Sequence, residues 1–192
     1  MHAITLNEGP PPASALGQTG GVRYLTIVRH AKSKPADPGE SDFDRRLNPR
    51  GRRECEQLRV WANDAASLGR FGPTTALVSA AARTRETFER AFDGTAFVDK
   101  AEFSDLIYNG HRDVSAEDVM FELTRIDPVT SSLLVVAHNP TVYELVSSLA
   151  MELPESLRAY HYPLGGAYVL ALPGDGRIGL DRYELVASFV PG

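Results

Sequence analysis

Ser132-Leu-Leu-Val-Val-Ala-His-Asn-Pro140, SLLVVAHNP, is an apolar run that stops at a histidine and is followed at once by Asn-Pro. A short continuous apolar run reads as a strand buried on both faces. Asn139 before Pro140 reads as a helix N-cap followed by proline at the first helical position. The helix it opens carries Val142, Leu145, Val146 and Leu149 inward. A buried strand leading straight into a helix is half of a βαβ unit, which requires a parallel neighbour and helices over the sheet.

Working outward, the same alternation recurs. Arg23–Val28 reads as a strand, and residues 31–47 as a long polar loop. Asn48-Pro49 is a second cap-plus-proline start. The helix it opens aligns Cys55, Leu58, Ala62 and Ala65 on one face, with Trp61 and Leu68 beside it and Gly69 as the stop. Thr74–Ser79 is a strand and residues 82–92 a helix. A short strand is expected near Ala96–Val98, with a loop through Tyr108-Asn-Gly110. Ser115 with Asp118 is a capping box for a helix to about Arg125. The chain closes with strands over Ala167–Leu172 and Leu180–Ser188, joined by Pro-Gly-Asp-Gly. Residues 1–21, rich in Gly, Pro, Ser and Ala without periodicity, read as a flexible tail preceding one domain over 22–192. The expected architecture is α/β: a three-layer sandwich with a mostly parallel central sheet, helices on both faces and antiparallel pairing from the terminal hairpin.

In such sheets ligands sit at the carboxyl ends of the strands. Three of the expected strands end in basic or imidazole side chains: Arg29-His30, Ser79 leading to Arg83 at a helix start, and His138. If these strands are parallel, two guanidiniums and two imidazoles converge beside helix N-termini, which themselves favour anions. Arginine suits a phosphoryl group because its planar fork donates two hydrogen bonds at once. Singly, each residue reads as a cap or a solvated charge. Together at three strand ends they read as an anion site.

The composition bounds the alternatives. The 192 residues are 43% hydrophobic and 23% charged, with a formal net charge of -5. That balance disfavours nucleic acid and anionic membrane as partners, so any anion site is local. The single cysteine, Cys55, rules out an intramolecular disulfide and fits a reducing, cytoplasmic setting. No apolar run approaches the ~20 residues of a membrane span. Gly174-Asp-Gly-Arg-Ile-Gly179 matches a GxGxxG string but precedes a strand, so it reads as a hairpin turn. Cys55 has Trp61, not arginine, six positions later, which argues against a cysteine phosphatase. His111 and His161 lack metal-ligand spacing. Arg45, Arg46, Arg50, Arg52 and Arg53 form a basic cluster read as a solvated face, or as a surface for an acidic phosphoprotein.

Arg29-His30 after an apolar strand, Ser79-x-x-x-Arg83-x-Arg-x-Thr87 (SAAARTRET) and Val135-Val-Ala-His138-Asn-Pro together resemble the histidine phosphatase superfamily, which has the phosphoglycerate-mutase-like fold. The RHAKS sequence, the Asp44-x-x-Leu47-x-x-x-Gly51 segment and the small size resemble its SixA-like phosphohistidine phosphatase branch, over Arg23 to Val186. The chain departs from the family in carrying Ala80 where proline is common, and in lacking a clear glutamate in the 100–110 loop.

The resemblance implies that His30 attacks phosphorus and that water hydrolyses the resulting phosphohistidine. Arg29 and Arg83 would hold the phosphoryl oxygens, and His138 would donate a further hydrogen bond. Asp105, then Glu102, are the candidate proton donors, and Lys32 and Ser33 candidates for the pocket mouth. No metal or cofactor is called for. The substrate expected is a phosphohistidine-bearing protein, with a small phosphate ester or a non-catalytic phospho-binding role as the alternatives. A mutase is disfavoured because the short chain lacks insertions to enclose a sugar-acid phosphate.

Overall fold

The computed structural model describes residues 22–110, 112–127, 132–174 and 177–192. The tail at 1–21, His111 and half of the Pro-Gly-Asp-Gly turn therefore lie outside the described residues. The elements run β1 (Arg23–Arg29), α1 (Pro49–Ser67), β2 (Thr74–Ser79), α2 (Ala82–Ala91), β3 (Val98–Ser104), α3 (Ala116–Ile126), β4 (Ser132–Ala137), α4 (Thr141–Leu149), β5 (Ala167–Leu172) and β6 (Glu184–Phe189), with 3-10 turns at Asp105–Ile107 and Glu155–Tyr160. They build one six-stranded sheet in the order β3-β2-β4-β1-β5-β6. β3, β2, β4 and β1 are mutually parallel, and β5 runs antiparallel to both β1 and β6.

Period-two alternation sorts the strand residues onto two faces. Leu25, Ile27, Leu77, Leu133 and Val135 pack with α3 and α4 side chains such as Val119, Leu123, Leu145 and Leu149. Val28, Ala76, Val78, Leu134 and Val136 pack with Cys55, Leu58, Trp61 and Phe88 from α1 and α2. The helices thus cover both faces, as the unbroken apolar strands require.

Caps behave differently at the two Asn-Pro starts. The Asn48 side chain accepts from the Gly51 N–H with Pro49 in the first turn, as expected. At the second, Pro140 itself stands at the cap position without a side-chain cap bond, and the Asn139–Pro140 peptide is cis. The expected Asn139 cap is therefore absent and α4 begins one residue later. Ser115 and Asp118 do form the reciprocal capping box of α3.

Two strand boundaries differ from expectation. β3 extends to Ser104, so the first part of the expected 100–110 loop is an edge strand pairing with β2. Its sequence, VDKAEFS, is charged because only one edge pairs and its burial is incomplete. The last strand starts at Glu184 rather than Leu180, which is exposed. The intervening chain first bonds to the end of α4, where Tyr183 bridges Ala150. Among the described residues no helix is long and apolar enough to cross a membrane.

Candidate active site

Register brings the strand ends together. Arg29 lies opposite Ala137 in the β1–β4 pair, and Val78 opposite Val136 in the β2–β4 pair. The next residues are therefore neighbours at the carboxyl edge. The His30 N–H donates to the Ala137 carbonyl (3.1 Å), and the His30 and His138 rings lie 5.1 Å apart. Arg83 reaches the same edge from the first turn of α2.

His30 is held in a defined tautomer. Its Nδ1 lies 2.8 Å from the Ala31 carbonyl, which can only accept, so Nδ1 carries the proton and Nε2 keeps its lone pair. Burial, with smaller contributions from the Arg83, Arg29 and Arg45 charges, pushes its pKa from 6.5 down to about 3. The imidazole is therefore neutral and nucleophilic at neutral pH. The loop behind it is fixed by Thr87, whose hydroxyl accepts from the Ala31 N–H (3.1 Å) while donating to the Arg83 carbonyl (2.6 Å). Glu54, buried on α1, accepts the Lys32 N–H (2.8 Å). Gly51 is required here by close approach, because a Cβ at 51 would overlap the Lys32 carbonyl.

His138 is also buried. Its Nε2 is 2.8 Å from the Ser79 hydroxyl, and its Nδ1 is buried without a partner among the described residues. A Ser79 hydroxyl that donates to Nε2 leaves the proton on Nδ1, where a phosphoryl oxygen could accept it. Burial, then the His30 and Arg83 charges, hold its pKa well below 6.5. Arg29 donates one Nη to the Tyr162 carbonyl (2.6 Å), while its buried Nε has no partner among the described residues.

Arg83 directs its two Nη groups at Asp42, one to the backbone carbonyl (2.6 Å) and one to Oδ2 (2.9 Å). The same carboxylate accepts from the Tyr108 hydroxyl (2.9 Å) and from Arg45 (2.6 Å). Partial burial opposes its charge, but hydrogen bonds from Arg45 and Tyr108 and the Arg83 charge more than offset this, holding its pKa at about 2. Tyr108 packs edge-on to His138 at 5.6 Å. Asp42, Arg45, Tyr108 and Ser79 belong to the site and were not singled out from the sequence as site residues. The contacts of Asp42 with Arg83 and Tyr108 span 41 and 66 positions, and no local pattern signals them.

The other expected site residues lie as follows. The Lys32 side chain is exposed, and the buried Ser33 hydroxyl accepts from Arg45 (3.0 Å). Asp105 is exposed at the head of the 3-10 turn. Glu102 lies within β3 and pairs with Arg125. Arg50 and Arg52 of the basic cluster pair with Glu54 and Glu86. Burial pushes the Cys55 thiol up to about 12, which makes it a poor nucleophile. Among the described residues no group of three or more His, Cys, Asp or Glu is placed to hold a metal ion.

No family model matches the chain. An uncharacterised Mycobacterium tuberculosis protein, found in two strains, is 33% identical over 123 residues, 64% of this chain and 70% of the relative. Among solved structures, a candidate phosphohistidine phosphatase SixA from Agrobacterium tumefaciens is 29% identical. It superposes with a TM-score of 0.68 over 88% of this chain and 99% of its own. A candidate phosphohistidine phosphatase SixA from Nakamurella has a TM-score of 0.69 at 24% identity, covering 89% of this chain and 97% of its own.

Proposed function

We propose that the chain is a histidine-type phosphatase of the histidine phosphatase superfamily, a reading supported by its likeness to the solved SixA structure from Agrobacterium tumefaciens, that it works through a phosphoenzyme on His30, and that it acts on phosphohistidine borne by a protein. The observation that carries this reading is the His30 ring, neutral, with Nδ1 bonded to Ala31 and Nε2 unprotonated beside two arginines.

In the first step the Nε2 lone pair forms a bond to phosphorus, and the bond to the leaving group breaks with its electron pair going to that group. The transferring phosphoryl carries its charge on three oxygens in a loose, in-line transition state. Arg29, Arg83 and the His138 Nδ1–H meet that charge as preorganised donors. In the second step water attacks the phosphohistidine, releasing inorganic phosphate and restoring Nε2. The guanidiniums supply the electrostatic stabilisation, so turnover persists in a strong chelator.

The leaving group decides which substrates suit this site. An alkoxide needs an acid, a device worth about 10²–10⁴ in rate. The carboxyl group that touches Arg83, Asp42, is ionised, and Asp105 is exposed. A phosphorylated imidazole protonated on its other ring nitrogen leaves neutral, without a proton from the enzyme. Nitrophenolate is stable as the anion. Phosphohistidine and p-nitrophenyl phosphate therefore turn over at least about 10²-fold faster than glycerol phosphate. A turnover panel with all three checks this, and equal rates on alkyl and aryl esters would reveal an unrecognised proton donor.

A further inference from the structure

In-line attack from the buried His30 places the leaving group on the side of phosphorus away from the ring. Asp42 marks the solvent side of this site, its mouth: its side chain is 49% exposed, while that of Arg83, which it contacts, is 7% exposed. The loop that carries it is pinned from several sides. Phe43 packs edge-on to Tyr108 at 4.9 Å, the Ala82 N–H donates to the Phe43 carbonyl (2.8 Å), and Tyr108 and Arg45 hold the carboxylate. The neighbouring acids have other partners. Glu40 pairs with Lys34, and Asp44 bonds to the Ser41 hydroxyl. Asp42 is thus the carboxylate of this loop that is fixed on the phosphate-site arginine.

We propose that Asp42 is a specificity-determining residue that selects phosphoryl donors by the charge of the group attached to phosphorus, favouring a protonated imidazole and rejecting a carboxylate-bearing remainder. The proposal rests on the phosphatase reading above and narrows its substrate class. A protonated phosphoimidazole ring is cationic until the P–N bond breaks, so a fixed anion beside it favours binding of the protonated form, which is the one that can leave as neutral imidazole. A phosphorylated hydroxy acid brings a second negative charge to the same place and is repelled. Asp42 also balances Arg45 and Arg83, so removing its charge turns the mouth cationic and shifts preference the same way.

The test is the ratio of kcat/KM for phosphoimidazole to that for 3-phosphoglycerate, in wild type, Asp42→Asn and Tyr108→Phe. Any change in how Arg83 binds the phosphoryl group is common to both substrates and cancels in the ratio. Asp42→Asn is expected to lower the ratio about tenfold, the scale of one charge acting over a few ångströms in a partly solvated site. Tyr108→Phe removes a hydrogen bond but no charge, and is expected to leave the ratio within about twofold. An unchanged ratio in Asp42→Asn, or an equal fall in Tyr108→Phe, overturns the proposal. Absence of phosphoimidazole turnover in wild type instead overturns the phosphohistidine reading itself, so the two failures are distinguishable. Asp42→Ala repeats the measurement should the asparagine variant misfold, with the same fall expected.

Discussion

At the scale of single residues, Arg83 shows how chemistry and geometry combine. It is buried, and both of its terminal nitrogens face one partner, Asp42, in the side-by-side arrangement that a phosphoryl group would also satisfy. Arg83→Lys keeps the charge and loses the fork. Its kcat/KM on p-nitrophenyl phosphate is expected to fall by about 2–4 kcal/mol of transition-state stabilisation, the scale of one missing oxyanion donor. Wild-type kinetics in this variant would remove Arg83 from the phosphate site. His30, Arg29, Arg83 and His138 were legible in the sequence because each stands where an apolar run stops or a helix starts. Asp42 was not, because its exposed position in a polar loop is indistinguishable, by pattern alone, from Asp37 or Asp44.

At the scale of elements, α1 is the support for the loop that follows β1 and His30. Asn48 caps its first turn, Gly51 lets the Lys32 backbone approach, and Glu54 one turn later accepts the Lys32 N–H. The glycine of the Asp44-x-x-Leu47-x-x-x-Gly51 segment thus has a steric reason. Gly51→Ala would press a methyl against the Lys32 carbonyl and push the loop off the helix. The expected cost is about 1–3 kcal/mol in stability, the range for overpacking a close contact, with a fall in kcat larger than that in any surface variant of α1. Thermal melts and steady-state kinetics check both, and an unperturbed melting temperature would show that the loop moves freely. The strands and helices that the sequence made plain were those with two buried faces or a full apolar stripe. β3 was misread because an edge strand needs neither, and the α4 start because an Asn-Pro pair can open a helix in two ways that differ by one residue.

At the scale of the whole molecule, parallel pairing gathers three strand ends, far apart in sequence, into one buried cationic site, and that burial makes stability depend on pH. His30 has a folded pKa of about 3 against 6.5 unfolded, and His138 shifts in the same direction. A histidine depressed in the fold binds fewer protons folded than unfolded, so its neutral burial costs nothing above pH 6.5 and destabilises as pH falls toward 3. The melting temperature is expected to drop between pH 6.5 and about 5, before most carboxylates titrate. Replacing both histidines with asparagine should flatten that slope, and an equal slope in the variant would assign the effect elsewhere. The parallel sheet and its covered faces were legible from alternating strands and helices, but the closeness of the two imidazoles depends on β1 lying beside β4, an order that no single sequence displays. The central claim is that this convergence makes His30 the nucleophile. The most direct measurement is a rapid quench of the enzyme with labelled p-nitrophenyl phosphate, followed by mapping of the phosphorylated residue. The account predicts an acid-labile, base-stable label on His30 that disappears, together with turnover, in His30→Ala while the fold persists; a label on Cys55 or on a serine, or turnover surviving in His30→Ala, would contradict it.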